Sequence, residues 1–577
     1  MVLHLNRRKV VSGALMVGCY LFDPGVAAAQ GLAWKRTFGG EGDEIVNSAA
    51  VDGEGRTVLV GYFEGEVDLD PGPGEHLVTS NGELDAFVMR LDQDGDLDWV
   101  RTFGGPESDY ATGVSLDDLG NVFVVGTFRG AVDMDPGTGT ATLTSAGGHD
   151  VFLTKYAPNG EYLGAWRTGG AGYDEAKSVA IGGSGGVYVL SYFTGTIDAD
   201  PGDPVLSIAS EGQLDVLVQR FLGDGTLGWA HAVGGAGTDF GLSLALDVDE
   251  NIWMTGSFES TIDMDPGAGV AALTSAGAWD VFVAKWASNG TFLWAGRMGG
   301  PENFDTGYDL AVDGEGNTWV IGSFFGSADF DPGAGVHTLT ASSEGSDDVF
   351  VVKLAADGEF LWAGSFGGGD ADLGYGIGVN TGGQVLLTGF FSGLADLDPS
   401  TEGVFEVSTS EANYFDGFLS LLDGDGTFIR AWTLGGAGSI ATQSMVVSDN
   451  GMLTMVGHFE NTVDLDAGPG ESMATSAGFR DAFVLRMSDV VAGIPPANDQ
   501  VVPLLSPNPA GDHLVVELGS AYHGVPYTIT DTKGCVVARG VLRTDRTSVP
   551  VAHLREGAYR FTLDHPAVRG VGFVVER

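Results

Sequence analysis

Val67-Asp68-Leu69-Asp70-Pro71-Gly72, VDLDPG, decides the reading of this chain because it returns six more times. The copies are VDMDPG from Val132, IDADPG from Ile197, IDMDPG from Ile262, ADFDPG from Ala328, ADLDPS from Ala395 and VDLDAG from Val463. Their first aspartates, Asp68, Asp133, Asp198, Asp263, Asp329, Asp396 and Asp464, are spaced by 65, 65, 65, 66, 67 and 68 residues. Self-similarity at a fixed period marks one supersecondary unit stacked on copies of itself. It overrides length, which for 577 residues would suggest about four domains.

Outward from the hexapeptide, each unit reads alike. In the second, WVRTFGG (Trp99 to Gly105) is a short strand and a Gly-Gly turn. ATGVSLDDLGNVFVVGTF (Ala111 to Phe128) is two strands about a Gly-Asn turn, and DVFLTKYAPNGEYLGAW (Asp150 to Trp166) is two more about Asn159-Gly160. Short apolar alternations split by N-G, D-G and G-N are hairpin signals, and no amphipathic helical run interrupts them. Four strands per unit, repeated radially, predict an all-β, seven-bladed β-propeller. Units of this length have residues to spare, so the VDLDPG segment reads as a surplus loop or extra hairpin on each blade. Trp34, Trp99, Trp166, Trp229, Trp294, Trp362 and Trp432 recur in register and are expected to pack between blades as core.

The ends are complementary. The first unit begins with its Trp strand, LAWKRTF from Leu32, and the last ends with DAFVLRM from Asp481. Each end supplies the strand the other lacks. A composite blade built from both termini would close the ring and remove two open sheet edges. The pattern D-x-F-V-x-K, then a glycine turn and a Trp, stands here as DAFVMRLDQDGDLDW (from Asp85), DVFLTKYAPNGEYLGAW (from Asp150), DVFVAKWASNGTFLW (from Asp280) and DVFVVKLAADGEFLW (from Asp348). It resembles the bacterial seven-bladed β-propeller repeat family over about residues 32–488. That resemblance implies a fold; propellers host enzymes, lectins and scaffolds alike.

The formal net charge is −51. Nucleic-acid phosphates need Lys and Arg, so nucleic acid is excluded as a partner, and anionic membrane surfaces are disfavoured. The charge changes along the chain. Residues 30–504 carry 70 acidic and 16 basic side chains, whereas residues 505–577 carry 7 and 8. That shift marks a second module. Arg7-Arg8-Lys9, the apolar run Val10 to Phe22 and Ala27-Ala28-Ala29 read as a secretory signal over 1–29, cleaved after Ala29. The run is too short to span a bilayer, and no other segment is a membrane-span candidate. Met16-Val17-Gly18-Cys19 offers a lipoprotein box and Arg7-Arg8 a twin-arginine signal as rival readings. Cleavage would leave Cys535 as the one thiol.

The array, 30–490, is followed by a linker, 491–503, with Pro495-Pro496. Residues 504–577 read as strands of a small C-terminal β-sandwich. Pro507-Asn508-Pro509, the turn at Gly534, Leu554, and Gly557-Ala558-Tyr559 resemble the type A C-terminal sorting domain of the type IX secretion system of the Bacteroidota. Leu505-Ser506 stands where that family usually has an aromatic. The resemblance implies recognition by the type IX machinery, passage through the periplasm and outer membrane, removal of the domain, and a released or surface-anchored propeller.

Chemistry is harder to read. Residues i and i+2 of a strand point to one side, so each hexapeptide can present two carboxylates together. The pairs are Asp68 with Asp70, Asp133 with Asp135, Asp198 with Asp200, Asp263 with Asp265, Asp329 with Asp331, Asp396 with Asp398 and Asp464 with Asp466. Ca²⁺ takes six to eight oxygens, so these loops are candidate partial calcium cages. The alternative is turn capping, with the carboxylates accepting backbone N–H groups. A second acid recurs after the Gly-Gly turn, read as Asp43, Asp109, Asp174, Asp239, Asp305 and Asp372, and the seventh unit lacks it. Asp92, Asp94 and Asp96 look like a calcium-loop fragment but read as a hairpin tip.

No H-E-x-x-H, no G-x-S-x-G and no Walker loop is read in the chain. Of the array histidines, only His76 and His337 share a register. The sequence therefore predicts no catalytic residue and a non-enzymatic, secreted or cell-surface binding scaffold for an unknown extracellular ligand, with Ca²⁺ as the one candidate cofactor. The alternatives are a polysaccharide- or peptide-cleaving enzyme acting from one propeller face and a calcium-dependent adhesin.

Overall fold

The computed structural model describes residues 31–488, except 203, 303, 344, 401–402, 412–413, 449–450 and 469. Beyond these it describes 504–506, 513–517, 526–531, 536–541, 546–551, 554–555, 557–563 and 571–575. The leader with Ala29, the linker and Pro507-Asn508-Pro509 lie outside the described residues.

The described chain is all β, in antiparallel sheets, and contains no helix. One unit shows the plan. Tyr110–Leu116 pairs with Val122–Asp133, which pairs with Thr142–Tyr156, which pairs with Tyr162–Gly170. The Asn159-Gly160 hairpin expected from sequence joins the last two, with Gly160 at φ +74°. Runs of four strands built this way recur from Glu44 onward.

The last run begins with Ile440–Val447, Leu453–Phe459 and Asp481–Ser488. Its fourth strand is Gly31–Phe38, from the other end of the array, paired from Gly31↔Ser488 to Phe38↔Ala482. The first strand of each run touches the first strand of the next, and Ile440–Val447 touches Glu44–Val51. The Trp strand is therefore the outer strand of one sheet, and the Gly-Gly that follows it leads into the inner strand of the next.

The core lies between sheets. Val58, Val60, Ala86 and Val88 of one run are buried against Val114, Val124 and Phe152 of the following one. Fully burying one such side chain stabilises by roughly 1.5–3 kcal/mol. The recurrent tryptophans do sit between units, but only Trp99 and Trp432 are buried. The other five are half-buried, and they, like Trp99, lie on the backbone of a hairpin glycine from the next unit. A Cβ on Gly160 would come 2.6 Å from the Trp99 ring, and one on Gly225 1.8 Å from that of Trp166. The Trp99 indole N–H donates to Pro158 O of the same turn at 3.0 Å. The fully buried tryptophans are Trp253, Trp286 and Trp319, which are not in the repeated register.

The surplus segment is an extra hairpin. Glu66–Asp68 pairs with Leu77–Thr79, and the equivalents recur. Each hairpin docks on the Gly-Gly of the preceding outer strand, as in Gly169↔Asp198 and Gly170↔Ile197. The second glycine is required there: a Cβ on Gly170 would lie 2.1 Å from Thr196 O, and one on Gly368 1.8 Å from Leu394 O.

In the C-terminal module, Leu504–Ser506, His513–Glu517 and Arg546–Pro550 form one antiparallel sheet. Pro526–Asp531, Val536–Val541, Gly557–Leu563 and Val571–Val575 form another. Gly557 opens its strand, and the Tyr559 hydroxyl donates to Arg555 O at 2.9 Å.

Candidate functional site

The hexapeptide aspartates close their own loops. The first of each pair is Asp68, Asp133, Asp198, Asp263, Asp329, Asp396 or Asp464. In all seven, its Oδ1 accepts the N–H of the second aspartate at 3.0–3.2 Å. It also accepts an N–H eight residues on, nine in the sixth unit, at 2.7–3.0 Å. The second aspartates are Asp70, Asp135, Asp200, Asp265, Asp331, Asp398 and Asp466. Their Oδ1 atoms accept the N–H two residues on at 2.8–2.9 Å. Oδ2 of Asp70, Asp135, Asp265 and Asp331 faces a loop glycine so closely that a Cβ on Gly74, Gly139, Gly269 or Gly335 would come within 2.0–2.1 Å of it. This is Asx-turn chemistry. His76 and His337 contribute only their backbone N–H to it. Asp92 likewise caps a hairpin tip, through the N–H groups of Asp94 and Asp96.

At these fourteen positions the geometry shows the turn capping that the sequence set beside partial calcium cages. Among the described residues no group of three or more His, Cys, Asp or Glu is arranged to hold a metal ion. The physical reason is the same in every loop. Asp68 and Asp70, Asp133 and Asp135, Asp198 and Asp200, Asp263 and Asp265, Asp329 and Asp331, Asp396 and Asp398, and Asp464 and Asp466 each spend Oδ1 on backbone N–H groups of their own loop. Among the described residues no third acid, histidine or cysteine joins any pair. Two carboxylates so engaged fall short of the six to eight oxygens Ca²⁺ takes.

The second acid needs a correction too. Asp109, Asp174, Asp239, Asp305 and Asp372 are buried, and each accepts the N–H of the second glycine of the Gly-Gly. In the first unit that place belongs to Glu44, on Gly40 N–H at 2.7 Å, not to Asp43. A chemically similar neighbour misleads here, and counting four residues from the second glycine finds the right one. Burial pushes these carboxyls up, to about 7 for Asp109, Asp174, Asp239 and Asp305 and to about 8 for Glu44 and Asp372.

A further ring of acids escaped the sequence reading although its letters were quoted. The aspartate of D-x-F-V (Asp85, Asp150, Asp215, Asp280, Asp348, Asp416, Asp481) is buried in every unit. It accepts an N–H from the turn before it at 2.8–3.1 Å. It explains the first glycine of each Gly-Gly: a Cβ on Gly104, Gly169 or Gly234 would lie 2.2–2.4 Å from its carboxyl. It also faces the second acid, each raising the other's cost of ionisation, as Asp85 does for Asp109. Burial lifts Asp215 and Asp348 to about 6. These acids are architectural, and they repeat.

What does not repeat lies beside them. The residue before the D-x-F-V aspartate is Leu84, His149, Leu214, Trp279, Asp347, Phe415 or Arg480. The neighbouring positions, on either side of the second acid and at the end of the second strand, vary too, although Tyr62 and Tyr192 share a register. The tertiary structure joins the aromatic members into an arc. Tyr62 meets Tyr110 (ring centroids 5.3 Å apart), Tyr110 meets His149 (6.4 Å), His149 meets Tyr173 (5.1 Å) and Tyr173 stacks on Tyr192 (6.4 Å). Phe240, Trp279 and Phe304 continue it at 5.0, 5.3 and 5.0 Å. A second run joins Tyr308, Tyr375, Phe390 and Phe415 at 4.9, 5.6 and 4.8 Å. Tyr173 is 41% exposed, Phe304 50% and Phe415 39%.

Polar groups are threaded through the arc. Glu175 accepts from the hydroxyls of Tyr173 and Tyr192 and from the Lys177 ammonium. Burial alone would raise the Glu175 carboxyl, but Lys177 and the two phenols outweigh it and hold it below the usual range. Tyr173 and Tyr192 are pushed up by burial and by Glu175, and Tyr62 by burial to about 12. Burial, then Arg129, lowers His149. Arg129 pairs with Glu107 at 3.3 Å and Arg480 with Glu460 at 3.1 Å. One further motif went unread: Gly182 to Gly186 spells G-x-S-x-G. It is a hairpin turn whose Ser184 N–H and hydroxyl both donate to Glu250 at 2.6 Å, so it is no nucleophile elbow.

A family signature described as "Beta-propeller repeat" matches residues 98–127. This is a propeller-type repeat protein. An uncharacterised WD repeat-containing protein of Acanthamoeba polyphaga mimivirus is 20% identical over 512 residues, covering 75% of this chain and 36% of that protein. The chain thus spans about a third of that relative's length. Among solved structures, PorZ, a surface component of the type IX secretion system of Porphyromonas gingivalis, aligns at 10% identity and a TM-score of 0.20, over 94% of this chain and 100% of PorZ. An ulvan lyase of polysaccharide lyase family PL25 aligns at 12% identity and a TM-score of 0.37, over 78% of this chain and 97% of the lyase. Likeness at that level says nothing about the surface residues.

Proposed function

We propose that the protein is a secreted or cell-surface, non-enzymatic binding scaffold: a closed seven-bladed propeller whose working surface is the aromatic face. The observation that carries this reading is the contrast within one end of the sheets. The repeated carboxylates there and in the hexapeptide loops are engaged with backbone N–H groups, while the partly exposed positions between them are largely unrepeated and their aromatic members connect. The pairing of Gly31–Phe38 with Asp481–Ser488 supports closure. Export rests on the signal-like leader and the sorting-domain resemblance of 504–577, and among the described residues no helix is long and apolar enough to cross a membrane. Deleting 504–577 in a type IX-competent host is expected to leave the chain in the periplasm. Recovery of the deleted chain at the cell surface would refute this route.

A second reading is favoured by one cluster. His149, Tyr173, Glu175, Tyr192 and Lys177 bring proton-exchanging groups together at the arc, as an enzyme acting on a polysaccharide or peptide would need. Turnover assays of the full chain separate the two. The scaffold gives none, whereas turnover abolished by Glu175→Gln would replace it with an enzyme.

A further inference from the structure

We infer that the aromatic face binds an extended, uncharged polysaccharide chain; this rests on the reading of that face as the working surface. Three observations carry the ligand class. First, the rings follow one another across successive units at 5.0–6.4 Å. Tyr173 and Phe304 are exposed, and Tyr110, Phe240 and Trp279 are half-buried. A linear succession suits a linear ligand, and aromatic side chains are rigid surfaces that pair an apolar face with a polar edge. A sugar ring has the complementary form, with C–H bonds on its faces and hydroxyls around its rim.

Second, the cations of the face are already neutralised. Arg129 is held by Glu107, Lys177 by Glu175 and Arg480 by Glu460. A polyanion would have to break those pairs, and would approach a chain of net charge −51. A cationic peptide would find three of the face's carboxylates occupied by the same pairs. A polyanion therefore gains nothing it needs, and the poly-L-lysine arm of the test below measures the cationic alternative.

Third, the same paired groups suit hydroxyls. Carboxylates and guanidinium groups held in fixed pairs keep spare lone pairs and N–H bonds for neutral partners. Asp347, with no cation paired to it among the described residues, adds an acceptor between the two aromatic runs. The apolar faces would thus carry the sugar rings and the fixed polar groups the rim hydroxyls.

The test is native affinity electrophoresis of the full chain in gels containing β-1,3-glucan, β-1,4-glucan, mannan or galactan, with alginate as polyanion and poly-L-lysine as polycation probe. At least one neutral polysaccharide is expected to retard the protein. Trp279→Ala and Phe304→Ala should weaken that retardation tenfold or more. Leu119→Ala, a more exposed apolar change in the turn at the opposite end of its strands, should leave it unchanged. Circular dichroism of each variant checks folding. Retardation by none of the neutral polysaccharides overturns the inference. Capture of alginate or poly-L-lysine alone, lost in the Trp279 and Phe304 variants, overturns the ligand class but keeps the face as the binding surface. Neutral retardation that both variants retain in full overturns the inference and the assignment of the face together.

Discussion

At one end of the sheets, two rings of side chains stand a residue apart and follow opposite rules. The buried ring, Asp85 with Asp109, Asp150 with Asp174 and onward, is almost the same in every unit. The partly exposed ring beside it, with His149, Trp279, Asp347, Phe415 and Arg480, repeats a residue only as Leu84 and Leu214. Repetition here tracks structural duty. A carboxyl that fixes a turn and fits over a glycine has one solution, used seven times. A surface that meets a ligand faces no such demand, so its residues diverge. In this fold, the conspicuous motif is the frame, and the inconspicuous positions between motifs form the proposed binding face.

That comparison is broken most severely from the frame side. Gly235→Val places a Cβ 1.9 Å from the Thr261 carbonyl oxygen. It should cost more than about 4 kcal/mol, since the neighbour is backbone and cannot yield. Urea unfolding of the full chain, or failure to recover folded protein, reads the effect. Phe152→Ala, emptying a fully buried site between sheets, should cost about 3–5 kcal/mol by the same assay.

A smaller loss tests the hexapeptide. Asp133→Ala removes the acceptor of the Asp135 and Ala141 N–H groups, and about 1–3 kcal/mol is expected. Turn capping predicts the same loss in millimolar Ca²⁺ and in chelator. A thermal melt that rises with Ca²⁺, reverses with chelator and is blunted by Asp133→Asn would add a metal to the loop, by binding the folded state selectively.

The buried acids predict a pH dependence with a definite sign. Their folded pKa values are raised, so the native state holds more protons than the unfolded chain between about pH 4 and 8. Stability should therefore be greatest at the acidic side of that window and fall as pH rises through 7 to 8. Thermal melts at pH 5.5 and 8.0 measure it, and Asp239→Asn should flatten the slope without reversing it. The seventh unit, with buried Ile440 in that register, already lacks one such group. The smallest stability change is expected on the face. Trp279→Ala, half-exposed, should move the melt by no more than about 1 kcal/mol equivalent, while removing whatever the face binds.

Much of the frame was legible. The period, the strand pattern, the N-G and D-G hairpins and the complementary ends all follow from local chemistry, and the DxDPG segment as an extra hairpin follows from surplus length. The site was not legible, for two reasons. Glu44 was passed over for Asp43 because adjacent acids look alike until the backbone shows which one reaches Gly40. The arc was invisible because Tyr62, Tyr110, His149 and Tyr173 lie in separate segments spread over three units. No periodicity relates them, and a search for repeated motifs discards them as noise.

The sequence by itself determined that this chain is an array of short-stranded β units, and where each turn falls, because turns and alternation are decided within a few residues. It also determined that the hexapeptide aspartates are spaced to share a loop. Only the tertiary structure decided which acids are buried together, why each Gly-Gly must be glycine, and which unrepeated rings meet. Those facts depend on backbone from one unit lying against side chains of another, and such contacts are set by how the sheets stack.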